Sequence, residues 1–297
     1  MRIISIGEIL WDVYKNEEFI GGAPFNFSVH ANRLGHEVYF ISAVGGDTRG
    51  NRALRCISAY GLSTKFIDIV RDYPTGHVDV IKKKDGQPSY IIHRPAAYDF
   101  PSLTAEQIND IISFQPDWIY FGTIQQMSAV ACELSSRLIE LLPKTKRFYD
   151  MNLRKGNFSP ELLKDLLNKS SIVKLNDEET KVCCELFKKV PMPWKDFCNW
   201  VVREFDLGGV CITKGPEGCA VYFDGYYIES AGYHVEVVDP VGAGDAFAAG
   251  FLHGLGKIWE LNKACDFANR LGALNIKKKG AIPDWTIEEV FSLRSNN

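Results

Sequence analysis

The stretch Asp239-Pro240-Val241-Gly242-Ala243-Gly244-Asp245-Ala246-Phe247-Ala248-Ala249-Gly250 decides how the rest of the chain is read. A β-type segment, His234 to Val238, precedes it. An apolar, small-residue run from Ala246 to Leu255 follows and predicts a buried helix. Gly242, Ala243 and Gly244 therefore stand where a loop becomes the first turn of a helix. Two glycines let successive backbone N–H groups converge on one spot, and the helix dipole adds positive potential there. Such a spot suits an anion, most often a phosphate. Asp245 is out of place beside an anion hole unless it has chemistry to do. A carboxylate there can take a hydroxyl proton while the hole holds the charge of a departing phosphoryl group. It can equally be a first-turn acid favoured by the dipole. Local physics allows both readings.

The motif is more specific than a lone glycine loop. DPVGAGDAFAAG resembles the D-T-x-G-A-G-D signature of the ribokinase-like carbohydrate kinases, the phosphofructokinase B family. By that resemblance Gly242, Ala243 and Gly244 build the anion hole and Asp245 is the catalytic base. Pro240 departs from the pattern. It stands where the family usually has Thr and removes a hydroxyl and an N–H.

With 297 residues, 46% hydrophobic and 24% charged, the chain suits one large α/β domain or two small ones. The family resemblance implies a single kinase domain over 1–297. A net charge of −3 gives no reason to expect nucleic-acid binding, and 12% aromatics argues against disorder. Glu8 and Asp12 break the first apolar run, so no signal peptide is predicted. No apolar run reaches membrane-spanning length, and a cytoplasmic location is expected. Eight cysteines without a C-x-x-C pair read as reduced, mostly buried thiols.

Along the chain, residues 2–6 form a buried strand ending at Gly7-Glu8. Gly21-Gly22-Ala23-Pro24-Phe25-Asn26 then opens a helix to about Leu34, with Pro24 in its first turn and Gly35 as a C-cap. G-E-x-x-x-D at Gly7–Asp12 and G-G-A-P-x-N at Gly21–Asn26 resemble the fructokinase branch. There Asp12, Gly22 and Asn26 would bind sugar hydroxyls. Read alone, Asp12 is a turn former and Asn26 a surface residue. Strand 37–44, a helix from about 49 to 60 and strand 66–70 continue a βαβ rhythm that argues for a parallel sheet. The rhythm breaks at a hairpin, 76–83 and 89–93, turning at Asp85-Gly86. Segments of about 11–21 and 74–95 together predict a small β-sheet lid, with Lys82-Lys83-Lys84 as its solvated tip. His93-Arg94-Pro95-Ala96-Ala97 resembles the R-x-x-A segment of fructokinases, in which the arginine reaches the substrate.

The rhythm resumes with helix 104–113, strand 117–121, helix 126–141 and strand 147–151. Asp150-x-Asn152-x-Arg154 sits at the carboxyl end of the last, where open α/β sheets bind ligands. It looks like the family's D-x-N-x-R, and Arg154 could steady a phosphate or the sugar, or form a strand-end salt bridge. After strand 171–175, Asn176-Asp177-Glu178-Glu179 suits a capped helix start. It also resembles the N-x-x-E motif, which implies Asn176 at the nucleotide and Glu179 supporting Mg²⁺ through water. Thr213-Lys214-Gly215-Pro216-Glu217-Gly218 resembles the nucleotide-side loop, implying roles for Thr213, Gly215 and Gly218. Lys214 faces either solvent or a phosphate. Asn269, in a helix over 260–276, falls where the family's adenine pocket lies. Lys279-Gly280-Ala281 resembles the K-G-A loop, in which Asp239, Val241 and Gly280 would hold K⁺ or another monovalent cation.

These features imply an α/β, ribokinase-like fold. A mostly parallel central sheet would carry helices on both faces, beside the β lid. The implied activity is ATP- and Mg²⁺-dependent phosphorylation of a sugar hydroxyl, with fructokinase favoured. Other specificities, such as 2-keto-3-deoxygluconate kinase or ribokinase, are the nearest rivals. A non-catalytic sugar or nucleotide sensor is a different class that an intact Asp245 speaks against. A Rossmann dehydrogenase would want a glycine fingerprint after the first strand, where Glu8-Ile9-Leu10 stand instead. The implied partners are a sugar and ATP, with a possible homodimer through the lid.

Overall fold

The computed structural model describes residues 1–15, 17–82, 88–154 and 156–295. Its first half runs β1 (Arg2–Ile6), β2 (Leu10–Val13), β3 (Glu18–Gly21), α1 (Ala23–Arg33), β4 (Glu37–Gly45), α2 (Thr48–Ala59) and β5 (Ile67–Val70). The lid hairpin β6 (Gly76–Lys82) and β7 (Pro88–Ile92) comes next, then α3 (Ala105–Phe114), β8 (Trp118–Gly122), α4 (Thr123–Gln126), α5 (Ala129–Leu141) and β9 (Lys146–Asp150). The rest is α6 (Pro160–Asn168), β10 (Ile172–Asn176), α7 (Asp177–Leu186), α8 (Trp194–Phe205), β11 (Gly209–Thr213), β12 (Cys219–Phe223), β13 (Tyr226–Ser230), α9 (Ala243–Gly256), α10 (Leu261–Asn275) and α11 (Ile287–Ser292).

Nine strands form the main sheet in the order β13-β12-β11-β10-β9-β8-β1-β4-β5. All neighbours from β11 to β5 pair in parallel, and β12 and β13 are antiparallel additions at one edge. Such strands are buried on both faces, so they read as unbroken apolar runs. Alternate residues feed two cores: Ile3, Tyr120 and Phe148 pack with α1, α9 and α10, while Ile4, Ile6, Phe121 and Tyr149 pack with α3, α6, α7 and α8. The sheet order reverses between β1 and β8, which opens a crevice at the carboxyl ends of the strands.

The lid is a separate four-stranded sheet, β3-β2-β6-β7, contributed by 10–21 and 76–92. Glu18 holds it to α2 through Arg49 at 2.7 Å and Arg52 at 2.6 Å, and Arg52 lies over the Trp11 ring. The expected turn at Asp85-Gly86 and Lys83-Lys84 lie outside the described residues.

Two expectations fail. His234 to Val238 is not a strand: β13 already takes the sheet edge, and the following segment crosses to the end of α10. There Val238 and Asp239 both donate their N–H to the Ile276 carbonyl, at 2.8 and 3.1 Å. The helix expected over 126–141 starts three residues later, because Ser128 caps it at Ala129 and Gln126 ends the separate short helix α4. All eight cysteines are free thiols, as expected, and six of them are buried.

Candidate active site

A cleft of about 520 Å³ opens where the lid overhangs the carboxyl ends of β1, β8, β9, β10 and β11. Its floor is the start of α9. Gly242 takes φ 82° at the N-cap, and no side chain caps the helix there. A Cβ at this position would sit 2.3 Å from the Ala281 carbonyl oxygen, so only glycine fits. The leading N–H groups of α9 have no acceptor within the helix and face the cleft beside Ala243 and Gly244.

Asp245 is buried on that first turn and accepts a hydrogen bond from Asn26 Nδ2 at 2.8 Å. Burial raises its carboxyl from 3.8 to about 6, and Asp150 pushes the same way. The Asn26 bond, Lys174 and Arg154 pull it back. A carboxylate so placed is ionised at neutral pH yet basic enough to take a proton.

Acids and amides line the lid end of the cleft. Asp12 comes from β2, and burial raises it to about 6 against the pull of Arg154. Gly22, at φ 115°, lets α1 begin against β1's end; a Cβ there would meet the Glu8 carbonyl oxygen at 2.4 Å. Asn26 was expected to bind sugar directly. Its amide N–H is committed to Asp245, but Oδ1 is buried with no partner. Glu8 was missed as a site residue. It is 2% exposed, takes one bond from Ala23 N–H at 3.3 Å, keeps Oε2 unpartnered, and is raised by burial to about 7. An acid closing a buried strand was the available signal.

Arg94 does not reach the cleft, contrary to expectation. Its guanidinium grips the buried Asp99 at 2.6 and 3.2 Å and donates to the Ile124 carbonyl at 2.7 Å. A carboxylate only 3% exposed needs such a partner. Arg154 does line the cleft, and its guanidinium donates to the neighbouring Leu153 carbonyl at 3.3 Å.

Behind the glycines lies a buried cluster that the sequence reading overlooked. Lys174 Nζ meets both Asp150 oxygens at 2.9 and 3.0 Å, and Tyr120 donates its hydroxyl to the same carboxylate at 2.9 Å. Burial opposes the lysine's charge, but Asp150 and Glu179 outweigh it and hold Lys174 above its ordinary value. Lys174 also borders the cleft, 3.1 Å from where a Gly244 Cβ would stand. A lysine inside an apolar strand run was the unused signal.

On the far side, Asn176 and Glu179 form a reciprocal cap at 2.8 Å each way. Glu179 also accepts Leu153 N–H at 2.6 Å, and burial raises its carboxyl. Both line the cleft, with Asp177, Thr213 and Gly215. Gly218 and Asn269 do not. Gly218, at φ 90°, packs a turn against the Ser230 carbonyl, and Asn269 ties α10 to the Ala231 carbonyl at 3.1 Å. Lys214 lies over Trp194 at 4.1 Å and pairs with Glu229 at 3.0 Å, so it serves neither solvent nor a phosphate.

Asp239 accepts from Val241 N–H at 3.1 Å and from Gly280 N–H at 3.0 Å, closing the loop on itself. Gly280 thus meets Asp239 through its N–H, where a carbonyl had been expected to face a cation. The Val241 carbonyl accepts from Asn275 at 3.0 Å, and the Asn275 Oδ1 is buried and unpartnered.

The chain is 28% identical to a fructokinase of Escherichia coli, over 88% of this chain and 87% of that one. It is 26% identical to an ATP-dependent 6-phosphofructokinase of Thermoanaerobacterium thermosaccharolyticum, over 98% and 94%. The fold matches the fructokinase of Xylella fastidiosa with a TM-score of 0.86, covering 98% and 97% of the two chains at 22% identity. The pfkB family carbohydrate kinase pattern spans residues 5–288. That match covers the strand-end cleft and the glycine-led helix alike, and the chain belongs to the pfkB family of carbohydrate kinases.

Proposed function

We propose that this kinase transfers the γ-phosphoryl group of ATP to the primary hydroxyl of fructose. One observation carries the reading: Asp245, raised to about 6, faces the hydroxyl-binding groups of the lid end from the helix start that would hold phosphate. Asp245 takes the proton as the sugar oxygen bonds to the γ-phosphorus and the bond to the ADP oxygen breaks. The N–H groups at Gly242, Ala243 and Gly244 hold the charge that develops. Asp12, Glu8 and the Asn26 carbonyl orient the sugar, and Arg154 steadies the moving phosphate. Asn176, Thr213 and Gly215 border the nucleotide. Gly218 and Asn269 act at one remove, by shaping the loop beside it. Glu179 would hold Mg²⁺ through water, since its two oxygens keep further lone pairs beyond their N–H bonds, and the ion would offset phosphate charge. K⁺ or another monovalent cation is supported beside the Asp239–Gly280 loop by the orphaned Asn275 oxygen. Ile81 and Ile91, 49% and 47% exposed on the outer lid face, support pairing with a second copy of the chain.

Glu8 and Asp12 at the sugar end disfavour a phosphorylated or acidic sugar, and so favour fructose over 2-keto-3-deoxygluconate or fructose 6-phosphate. The test is ADP release with ATP-Mg²⁺ across fructose, ribose, glucose, sugar acids, sugar phosphates and nucleosides. Fructose should show the highest kcat/KM. A rival better by about tenfold, or roughly 1.4 kcal/mol, overturns the fructose assignment. No turnover with any acceptor returns the protein to the sensor class.

A further inference from the structure

The lid carries a second cluster of ligating side chains, on the face turned away from the cleft. Val78 lines the cleft, so strand alternation turns His77 and Asp79 to the opposite face of β6. His93 follows β7 and donates its backbone N–H to the His77 carbonyl at 3.2 Å, which sets the two histidines side by side. Their rings stack with centroids 4.2 Å apart and planes within 11°. Asp79 Oδ2 lies 2.7 Å from His93 Nε2. One ligand atom from each of the three falls within 4.8 Å of the other two.

We propose that His77, Asp79 and His93 bind zinc, with water as the fourth ligand, and so pin the two strands at the root of the lid. A half-exposed His93–Asp79 pair alone is worth little and has no use for the stacked second imidazole. Two imidazoles and a carboxylate are a borderline donor set that suits zinc and not Mg²⁺, which prefers oxygen ligands throughout. Bonds of about 2.0–2.2 Å in a tetrahedron place ligand atoms roughly 3.3 Å apart. The widest pair therefore closes by no more than about 1.5 Å, within reach of side-chain rotation. With 42% and 41% of the His93 and Asp79 side chains exposed, the ion has a path in from solvent.

The test uses the full chain stripped with a chelator and held in excess Mg²⁺ to occupy oxygen sites. Cobalt serves as the visible probe and zinc as its competitor. One equivalent of Co²⁺ should bind with the intense bands of a tetrahedral ion and be displaced by zinc. His77→Gln, Asp79→Asn and His93→Gln should each weaken binding at least tenfold while leaving sugar phosphorylation in zinc-free, Mg²⁺-containing buffer unchanged. In the parent protein, zinc should shift the ring C–H resonances of two of the six histidines, a readout that needs no substitution. Three results would overturn the site: cobalt binding that survives all three variants, a thiolate charge-transfer band that assigns the ion to cysteine, or histidine resonances that ignore zinc.

Discussion

Replacing Asn26 by Ala probes the base through its neighbour, because the 2.8 Å bond from Asn26 favours the ionised form of Asp245. A hydrogen bond to a charged group is worth about 1.5–3 kcal/mol, and one pKa unit is about 1.4 kcal/mol. Water entering the space left by the amide restores part of this. The expected rise is therefore about one unit, from about 6 toward 7. Only the ionised carboxylate accepts a proton, so activity climbs with pH through this value. In the parent enzyme kcat/KM should fall about tenfold per pH unit below about 6. In the variant that acid limb should move about one unit alkaline. The assay is kcat/KM for the sugar at constant ionic strength across the acidic and neutral range. Loss of a sugar contact at Asn26 lowers the whole curve without moving its limb, so the two effects separate. Glu8, near 7, and Asp12, near 6, titrate in the same cleft. Glu8→Gln and Asp12→Asn should therefore keep the limb that Asn26→Ala shifts. An unmoved limb in Asn26→Ala would refute the reasoning.

Asp245→Asn should lower kcat by about 10²–10⁴-fold and also stabilise the fold. The folded carboxyl sits about 2 units above 3.8, so ionisation costs the native state more as pH rises from about 4 to 6, and fully above that. The variant should be more stable by up to about 3 kcal/mol at pH 7, with no gain near pH 4; a lower melting temperature at pH 7 counts against a strained, buried base. Arg94→Ala should cost about 3–5 kcal/mol of stability by stranding Asp99, and a large rise in sugar KM without a fall in Tm would restore Arg94 to the substrate. Turnover should rise in K⁺ relative to a bulky organic cation at matched ionic strength, and equal rates in the two would remove the cation from the Asp239 loop.

The glycine-led helix was legible because its physics is local: φ above zero at Gly242 and a small-residue face on α9 are both written in adjacent residues. The parallel sheet was legible for a similar reason, since strands buried on both faces leave apolar runs. What could not be read were the partners chosen across the fold. Arg94 and Asp99 are five residues apart, yet whether the arginine turns to the acid or to the cleft depends on the Ile124 carbonyl brought in by α4. Lys174 gains its meaning only when β9 sets Asp150 beside β10. His234 to Val238 has strand-like residues but leaves the sheet after β13, because its backbone is drawn to the Ile276 carbonyl at the end of α10.

The bond between Asn26 and Asp245 joins residues 219 positions apart, and that separation has a consequence for how the enzyme is made. Phe25, Phe27 and Val29 of α1 share one core with Phe247, Ala249 and Phe251 of α9. On a ribosome adding about 5–20 residues per second, α1 and most of the sheet leave the tunnel long before α9 does. During that interval the apolar flank of α1 has no cover, and Glu8 faces water. Closing so long a loop is slow, and the reward comes only when the C-terminal helices dock. Solubility and catalysis thus mature in the same late step: a nascent chain stalled short of α9 would be a client for chaperones rather than a weak kinase.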